Sequence, residues 1–598
     1  MSQELILNRR DLDFMMYEWL DAEALTSHPR FSDHSRETFD AVMDLSAQIA
    51  NDLFANHNRK NDLNEPTFDG EKVQVIPEVK TAIDAFNEAG LVAAAQDYEY
   101  GGMQLPALVE KACMAWFKAA NVGSSAYPFL TMANANLLLA HGSKAQIETW
   151  VKPMFEGRFF GTMCLSEPQA GSSLADIRTR AEPQGDGTYR LHGNKMWISA
   201  GDHELSENIV HLVLAKVPGS PPGVKGISLF IVPRWLVNED GTRGERNDVA
   251  LAGLNHKMGY RGTTNTLLNF GEGKFQPGGQ GGAVGYCVGE VNKGLACMFH
   301  MMNEARVGVG MGAVVLGYTG YLHAVEYAKE RFQGRRLTDK DPQSPPVRLI
   351  DHTDVKRMLL AQKSYVEGGL ALVLYCARLL DEKRGAGVCD EDDADVLMDL
   401  LTPIVKSWPS QWCLAANDLA IQVHGGYGYT RDYQVEQFYR DNRLNPIHEG
   451  THGIQGLDLL GRRVRQHGGA GMQALQRRLQ MTTAKAAQRS DTAEFAASLD
   501  AIWFRLQDVT QLLLRNPNAE ESLSDATLYL EAFGHVVVAW IWLDQYLACP
   551  ENSDDAFYLG KRQACQYFFR RELSQVDAWL DLLGDGDRTC LDMSEGWF

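Results

Sequence analysis

The sequence predicts a multi-domain α+β fold: an N-terminal helical bundle, a β-barrel-like domain, a second helical bundle and an extra helical domain at the C-terminus. Three observations carry this prediction. The chain has 598 residues, more than one hydrophobic core ordinarily serves. Hydrophobic residues make up 45% and charged residues 22%, the balance of an ordinary globular protein. The apolar period changes from three-to-four to two and back again along the chain, which marks blocks of helix, strand and helix.

Residues 1–35 form an N-terminal segment without a clear period. From 36 to 160 the spacing is helical, as in RETFDAVMDLSAQIANDLF and PEVKTAIDAFNEAGLVAAA, with apolar residues three and four apart. Between 161 and 278 short β-rich runs (TYRLHGNKMWIS, NIVHLVLAKV, GISLFIVPR) alternate with the turn clusters GDG, GDH and PGSPPG. Helical spacing returns over 279–466. After the glycine-rich hinge HGGAG it continues through 467–598, in EFAASLDAIWFRLQDVTQLLL and DATLYLEAFGHVVVAWIWLDQYLA.

The formal net charge of -20 opposes any protein-wide attraction to nucleic acid or anionic lipid, so an anionic ligand needs a local basic pocket. The opening MSQELILNRRDLDF lacks the apolar core of a secretory signal, and no long uncharged apolar run suggests an integral membrane segment, so a cytoplasmic location is expected. Ten cysteines are scattered without a CxxC pair, which points to buried thiols rather than a disulfide framework or a zinc ribbon.

Two motifs match by spacing alone. Gly308-Val309-Gly310-Met311-Gly312-Ala313 fits the dinucleotide fingerprint, but the preceding FHMMNEAR reads as helix where a strand is required, so close helix packing explains these glycines better. His448-Glu449-Gly450-Thr451-His452 fits the H-E-x-x-H of zinc peptidases. Pro446, Gly450 and Gly453 argue against the helix that motif needs, and position 458 is Asp rather than a third His. No metal is expected.

The stretch Met163-Cys164-Leu165-Ser166-Glu167-Pro168-Gln169-Ala170-Gly171-Ser172-Ser173, followed by Lys195-Met196-Trp197-Ile198-Ser199, resembles the signature of the acyl-CoA dehydrogenase family. The resemblance continues in order through YEYGGMQLP, KMGYRGTT, MMNEARVGVG, YAKERFQGR, QVHGGYGY and EGTHGIQGLDLLGRR, to about residue 465. Beyond that the chain is similar to a longer subclass that includes 3-methylmercaptopropionyl-CoA dehydrogenase and bacterial fatty acyl-CoA dehydrogenases.

The resemblance implies an FAD-dependent α,β-desaturation of an acyl-CoA thioester to the trans-2-enoyl-CoA, in a homodimer or dimer of dimers that passes electrons to an electron-transfer flavoprotein. Glu449 would be the base, its carboxylate stripped of water and so raised in pKa, and its own N–H would help hold the thioester carbonyl. Leu165, Ser166, Trp197, Ile198, Ser199 and Thr451 would line the flavin, while Arg331, Gln422, Gly425 and Gly426 would meet the FAD of a neighbouring subunit. Ser172, Asn303 and Arg306 would face CoA; Asn303 stands where several relatives carry Asp. An acyl-CoA oxidase that reduces O2 is the alternative on the same fold. A flavin-free helical binding protein is the alternative from another class.

Overall fold

The structure, a computed structural model, describes residues 5–386 and 391–598. Among these residues the cysteines are free thiols, buried except for Cys287 and Cys590; Cys389 lies outside the described residues. The chain forms two compact units, one made of Asp44–Leu105 with Trp116–Ala305, the other of residues 5–43, Pro106–Ala115 and Arg306–Phe598.

In the first unit, helices Pro77–Glu88 and Val122–His141 accompany an eight-stranded sheet. Its path runs through Val249–Leu254, Asn265–Phe270, Tyr189–Ser199, Ala283–Val288, Ile227–Pro233, Asn208–Lys216 and Phe159–Cys164, with Arg180–Pro183 beside two of these strands. The sheet therefore continues past residue 278 through AVGYCV, whose register against Tyr189–Leu191 and Leu229–Ile231 is antiparallel. Phe159–Cys164 and Asn208–Lys216 pair in parallel, and both are almost wholly buried, which is why NIVHLVLAK is mostly apolar on both faces instead of alternating.

Helix Val122–His141 covers that parallel pair. Its Asn134 amide donates to the carbonyls of Thr162 at 3.1 Å and Val210 at 2.9 Å. A Cβ at Gly161 would lie 2.5 Å from Asn134 Cβ, so glycine is what lets the helix approach. Another part of the core gathers Leu191, Ile198, Val213, Phe230, Val232, Leu268 and Phe270.

The second unit is helical. Gly294–Glu330 begins in the first unit and runs on into this one, where Thr353–Asp381 and Glu391–His424 pack with it. The glycines of the spurious dinucleotide motif lie inside that first helix. A Cβ at Gly310 would meet the Val405 carbonyl at 2.0 Å, so close helix packing is the reason for glycine there. Asp381, fully buried, accepts the first N–H groups of helix Ala107–Ala120, from Ala107 at 2.7 Å and Leu108 at 3.0 Å. This satisfies donors that a helix start otherwise leaves open.

The C-terminal extension, with helices Ala470–Ala486, Ala493–Arg515, Ala526–Ala548, Ala556–Tyr567 and Val576–Asp585, belongs to this same unit. Ala526–Ala548 is long and apolar enough to cross a membrane, but 83% of its most apolar window is buried inside the protein. Its hydrophobicity is used in packing, as in a core helix.

Candidate active site

In the first unit the segment Leu165–Ala170 lies against strand Tyr189–Ser199. Lys195, wholly buried, donates its ammonium to the Leu165 carbonyl at 2.9 Å and to Glu167 Oε1 at 3.0 Å. Glu167 also accepts from the Thr179 amide at 3.0 Å, the Thr179 hydroxyl at 2.6 Å and the Arg178 amide at 2.7 Å. Burial opposes the charge on Glu167, but the Lys195 ammonium and these hydrogen bonds outweigh it and hold the carboxyl down to about 2. One charged pair thus fixes the main chain of Leu165 and Ser166, and the Ser166 carbonyl accepts from Met196 N–H at 2.9 Å.

Strand Tyr189–Ser199 is irregular where it matters. Its register against Asn265–Phe270 slips between Thr266 and Leu268, so Met196 and Trp197 both stand opposite Leu267. This bulge re-aims a side chain: Trp197 has φ +65° and is 60% exposed. Ala200 is also left-handed, at φ +54°. Non-glycine residues held in that region cost about 1 kcal/mol or more each and collect at functional sites. Ile198 turns its side chain into the core, so its main chain is what remains to face a ligand. Ser199, half-buried, is within 3.5 Å of the Asn265 amide, and Ser172 is exposed.

In the second unit Glu449 sits in the turn between Pro446 and helix His452–Gly461, with φ +54°. The carboxylate is half-buried. Burial raises its pKa, and the nearby charges of Arg306 and Lys406 pull the other way. Among the described residues neither its carboxylate nor its amide N–H has a hydrogen-bond partner. Its carbonyl accepts from Gln455 Nε2 at 2.9 Å, and a Cβ at Gly450, φ +88°, would lie 2.5 Å from that same Gln455 nitrogen. The turn therefore requires glycine beside the glutamate.

The histidines flanking Glu449 do not share a helical face. His448 lies outside the helix, 3.1 Å from Asn445 Oδ1. His452 opens the helix and is hydrogen-bonded through Nε2 to Glu531. Thr451 is the N-cap, accepting from Ile454 N–H at 3.4 Å. Arg306 is buried and paired with Asp458 at 3.1 Å, and Asn303 is half-buried. Arg331, Gln422, Gly425 and Gly426 are all exposed. The Arg331 guanidinium lies 5.9 Å from the centre of the Tyr427 ring, and a Cβ at Gly425 or Gly426 would meet nothing within 4 Å.

Glu167, Lys195 and Gln455 fall inside the motifs that carry the family resemblance but have no role assigned by it, and Lys406 and Glu531 lie outside those motifs. Lys406 did carry a signal, a single charge in the otherwise apolar LLTPIVKSW. Within the first unit, an exposed indole on a bulge with main chain fixed beside it suits a flat ring system.

The order of helical, β and helical domains along the chain is that of the acyl-CoA dehydrogenase fold. Family models agree along nearly the whole chain: acyl-CoA dehydrogenase N-terminal domain over residues 42–158, middle domain over 162–272, C-terminal domain over 292–465, and an acetyl-CoA dehydrogenase C-terminal-like domain over 475–594. The chain is 37% identical to 3-methylmercaptopropionyl-CoA dehydrogenase of Ruegeria pomeroyi, over 77% of this chain and 76% of that one. It is 31% identical to the broad-specificity linear acyl-CoA dehydrogenase FadE5 of Mycobacterium tuberculosis, over 99% of each. The crystal structure of a Bacillus anthracis acyl-CoA dehydrogenase complexed with FAD superposes with a TM-score of 0.74 at 18% identity, covering 96% of this chain and 91% of that one. The chain belongs to the acyl-CoA dehydrogenase family. It is an oxidoreductase acting on the CH–CH bond of acyl-CoA, and its cofactor is FAD.

Proposed function

We propose that Glu449 is the base that removes the α-proton of the acyl-CoA, with an electron-transfer flavoprotein as the electron acceptor. The observation that carries this reading is the state of Glu449 itself. It is a carboxylate with raised pKa, held in a strained turn, with neither its oxygens nor its amide N–H committed to another protein group. A raised pKa improves a carboxylate as a proton acceptor near neutrality. The free N–H is a donor for the thioester oxygen, on which negative charge grows as the proton leaves.

When bound, FAD supplies the acceptor for the hydride lost from Cβ. Trp197, Ser199 and the main chain of Leu165, Ser166 and Ile198 would hold its ring, with Thr451 near the base. The exposure of Arg331, Gln422, Gly425 and Gly426 supports a site completed between subunits of a homodimer or dimer of dimers. Ser172, Asn303 and Arg306 are the candidates for the CoA end, Arg306 being the most buried of the three.

Anaerobic addition of acyl-CoA should bleach the flavin absorbance. Glu449→Gln should slow bleaching by about 10²–10⁴-fold, the usual contribution of a positioned base, while FAD stays bound. Unchanged bleaching in that variant would remove Glu449 from the role. Stoichiometric peroxide during aerobic turnover would assign O2 as acceptor and make the enzyme an oxidase, and a protein that cannot take up FAD would leave only the binding-protein reading. Repeating the titration with 3-methylmercaptopropionyl-CoA and with linear acyl-CoAs of increasing length identifies the substrate, because the relatives named above include one named for each kind.

A further inference from the structure

We propose that Lys406 is a positioning residue for the base, its ammonium tying together the two ends of the turn that carries Glu449. Lys406 lies on helix Glu391–His424 and is wholly buried. Its Nζ donates to the Asn445 carbonyl at 2.8 Å and the Gly450 carbonyl at 2.7 Å. These acceptors bracket Glu449 in sequence, so one cation clamps the turn from within. Among the described residues no carboxylate hydrogen-bonds to this ammonium; its partners are main-chain dipoles.

A lysine sunk in an apolar helix is costly unless its charge is used. Burial pulls its pKa down to about 7, partly offset by the attraction of Glu449. The charged groups acting on Lys406 are Glu449 from the turn and Arg306 from Gly294–Glu330; behind Arg306 lie Asp458 of helix His452–Gly461 and Arg463 just beyond that helix, and Asp399, on the same helix as Lys406, pairs with Arg463. Arg306 and Arg463 have carboxylate partners of their own, whereas Lys406 holds the turn and adds positive potential at Glu449. The ammonium thus performs two tasks: it holds the left-handed turn in which the carboxylate and its amide are both presented, and it keeps the raised pKa of Glu449 from rising further.

This inference rests on Glu449 being the base, and the two are tested separately in the full-length FAD-bound protein. The protonated carboxyl stretch of Glu449, identified by infrared difference against Glu449→Gln, is titrated in wild type, Lys406→Gln and Lys406→Met. Lys406→Gln keeps N–H donors for the two carbonyls but removes the charge, so it tests the electrostatic part even if the Met variant fails to fold. The expected result is a midpoint raised by about one pH unit in both variants, with flavin bleaching slowed at least about tenfold in Lys406→Met. An unchanged midpoint and rate in Lys406→Gln, with Glu449→Gln inactive, would overturn the proposal while leaving the base in place. Full bleaching by Glu449→Gln would overturn the base reading and the proposal with it.

Discussion

Trp197 and Glu449 share a conformational signature: each is a non-glycine residue at positive φ, +65° and +54°. Neither conformation is cheap, so the surroundings must impose it. For the loop beside Trp197 that restraint is the buried pair Glu167–Lys195, 3.0 Å apart. Lys195→Met would leave Glu167 buried without its cation, and we expect a loss of about 3–5 kcal/mol in denaturant unfolding together with weakened FAD retention. Glu167 titrates near 2 in the folded chain against an ordinary 4.5, so its stabilising contribution is present above the ordinary value and is lost as pH falls toward 2. Glu167→Gln should therefore be less stable than wild type at neutral pH and should close that gap between pH 4.5 and 2, as urea unfolding at stepped pH would show.

At the scale of elements, helix His452–Gly461 carries the far side of the Glu449 turn and leans on the C-terminal extension. Its first residue, His452, is hydrogen-bonded to Glu531, which also accepts from Trp412 Nε1 at 2.6 Å. A Cβ at Gly456 would lie 2.5 Å from the Ala526 carbonyl and 3.0 Å from the Thr527 nitrogen. Both are main-chain atoms, which have little freedom to retreat. Gly456→Ala should then push the helix from its seat at a cost of about 1–3 kcal/mol and slow flavin bleaching by the substrate, measured beside the melting temperature. No sequence pattern announces this contact, because Gly456 and Ala526 are joined only by the packing of two helices distant in the chain. The bulge at Trp197 was equally hidden: alternation in TYRLHGNKMWIS predicts a strand, and it takes the register of the neighbouring strand to show where the extra residue falls.

At the scale of the whole chain, the extension is built into the second unit. Lys561 is ion-paired with Asp11 near the start of the chain and, at 2.9 Å, with Glu367 of helix Thr353–Asp381. Tyr318 donates to Asp11 at 2.7 Å, and all of these side chains are buried. A Cβ at Gly534 would meet the Trp408 ring at 2.5 Å, two residues from Lys406. A chain ended at residue 466 would strip Lys561 from two buried carboxylates and bare the Trp408 face. Breaking a buried pair by removing one partner is strongly destabilising, so this truncation should give insoluble or FAD-free protein by gel filtration and absorbance. A soluble, FAD-loaded truncation would show the extension to be dispensable.

The sequence alone determined the order of helical and β blocks and the family, and it pointed to the glutamate that we propose as base. Those properties reside in local period and in short motifs that keep their order along the chain. It also weakened the zinc reading, since glycine and proline around Glu449 oppose a helix whatever surrounds them. Tertiary structure decided what holds the site in shape: the Glu167–Lys195 pair, the Lys406 clamp and the seat of Gly456 against Ala526. Each joins residues far apart in sequence whose individual identities are ordinary. Their meaning comes from burial, which makes an ion pair, a lone ammonium or a missing methyl group consequential.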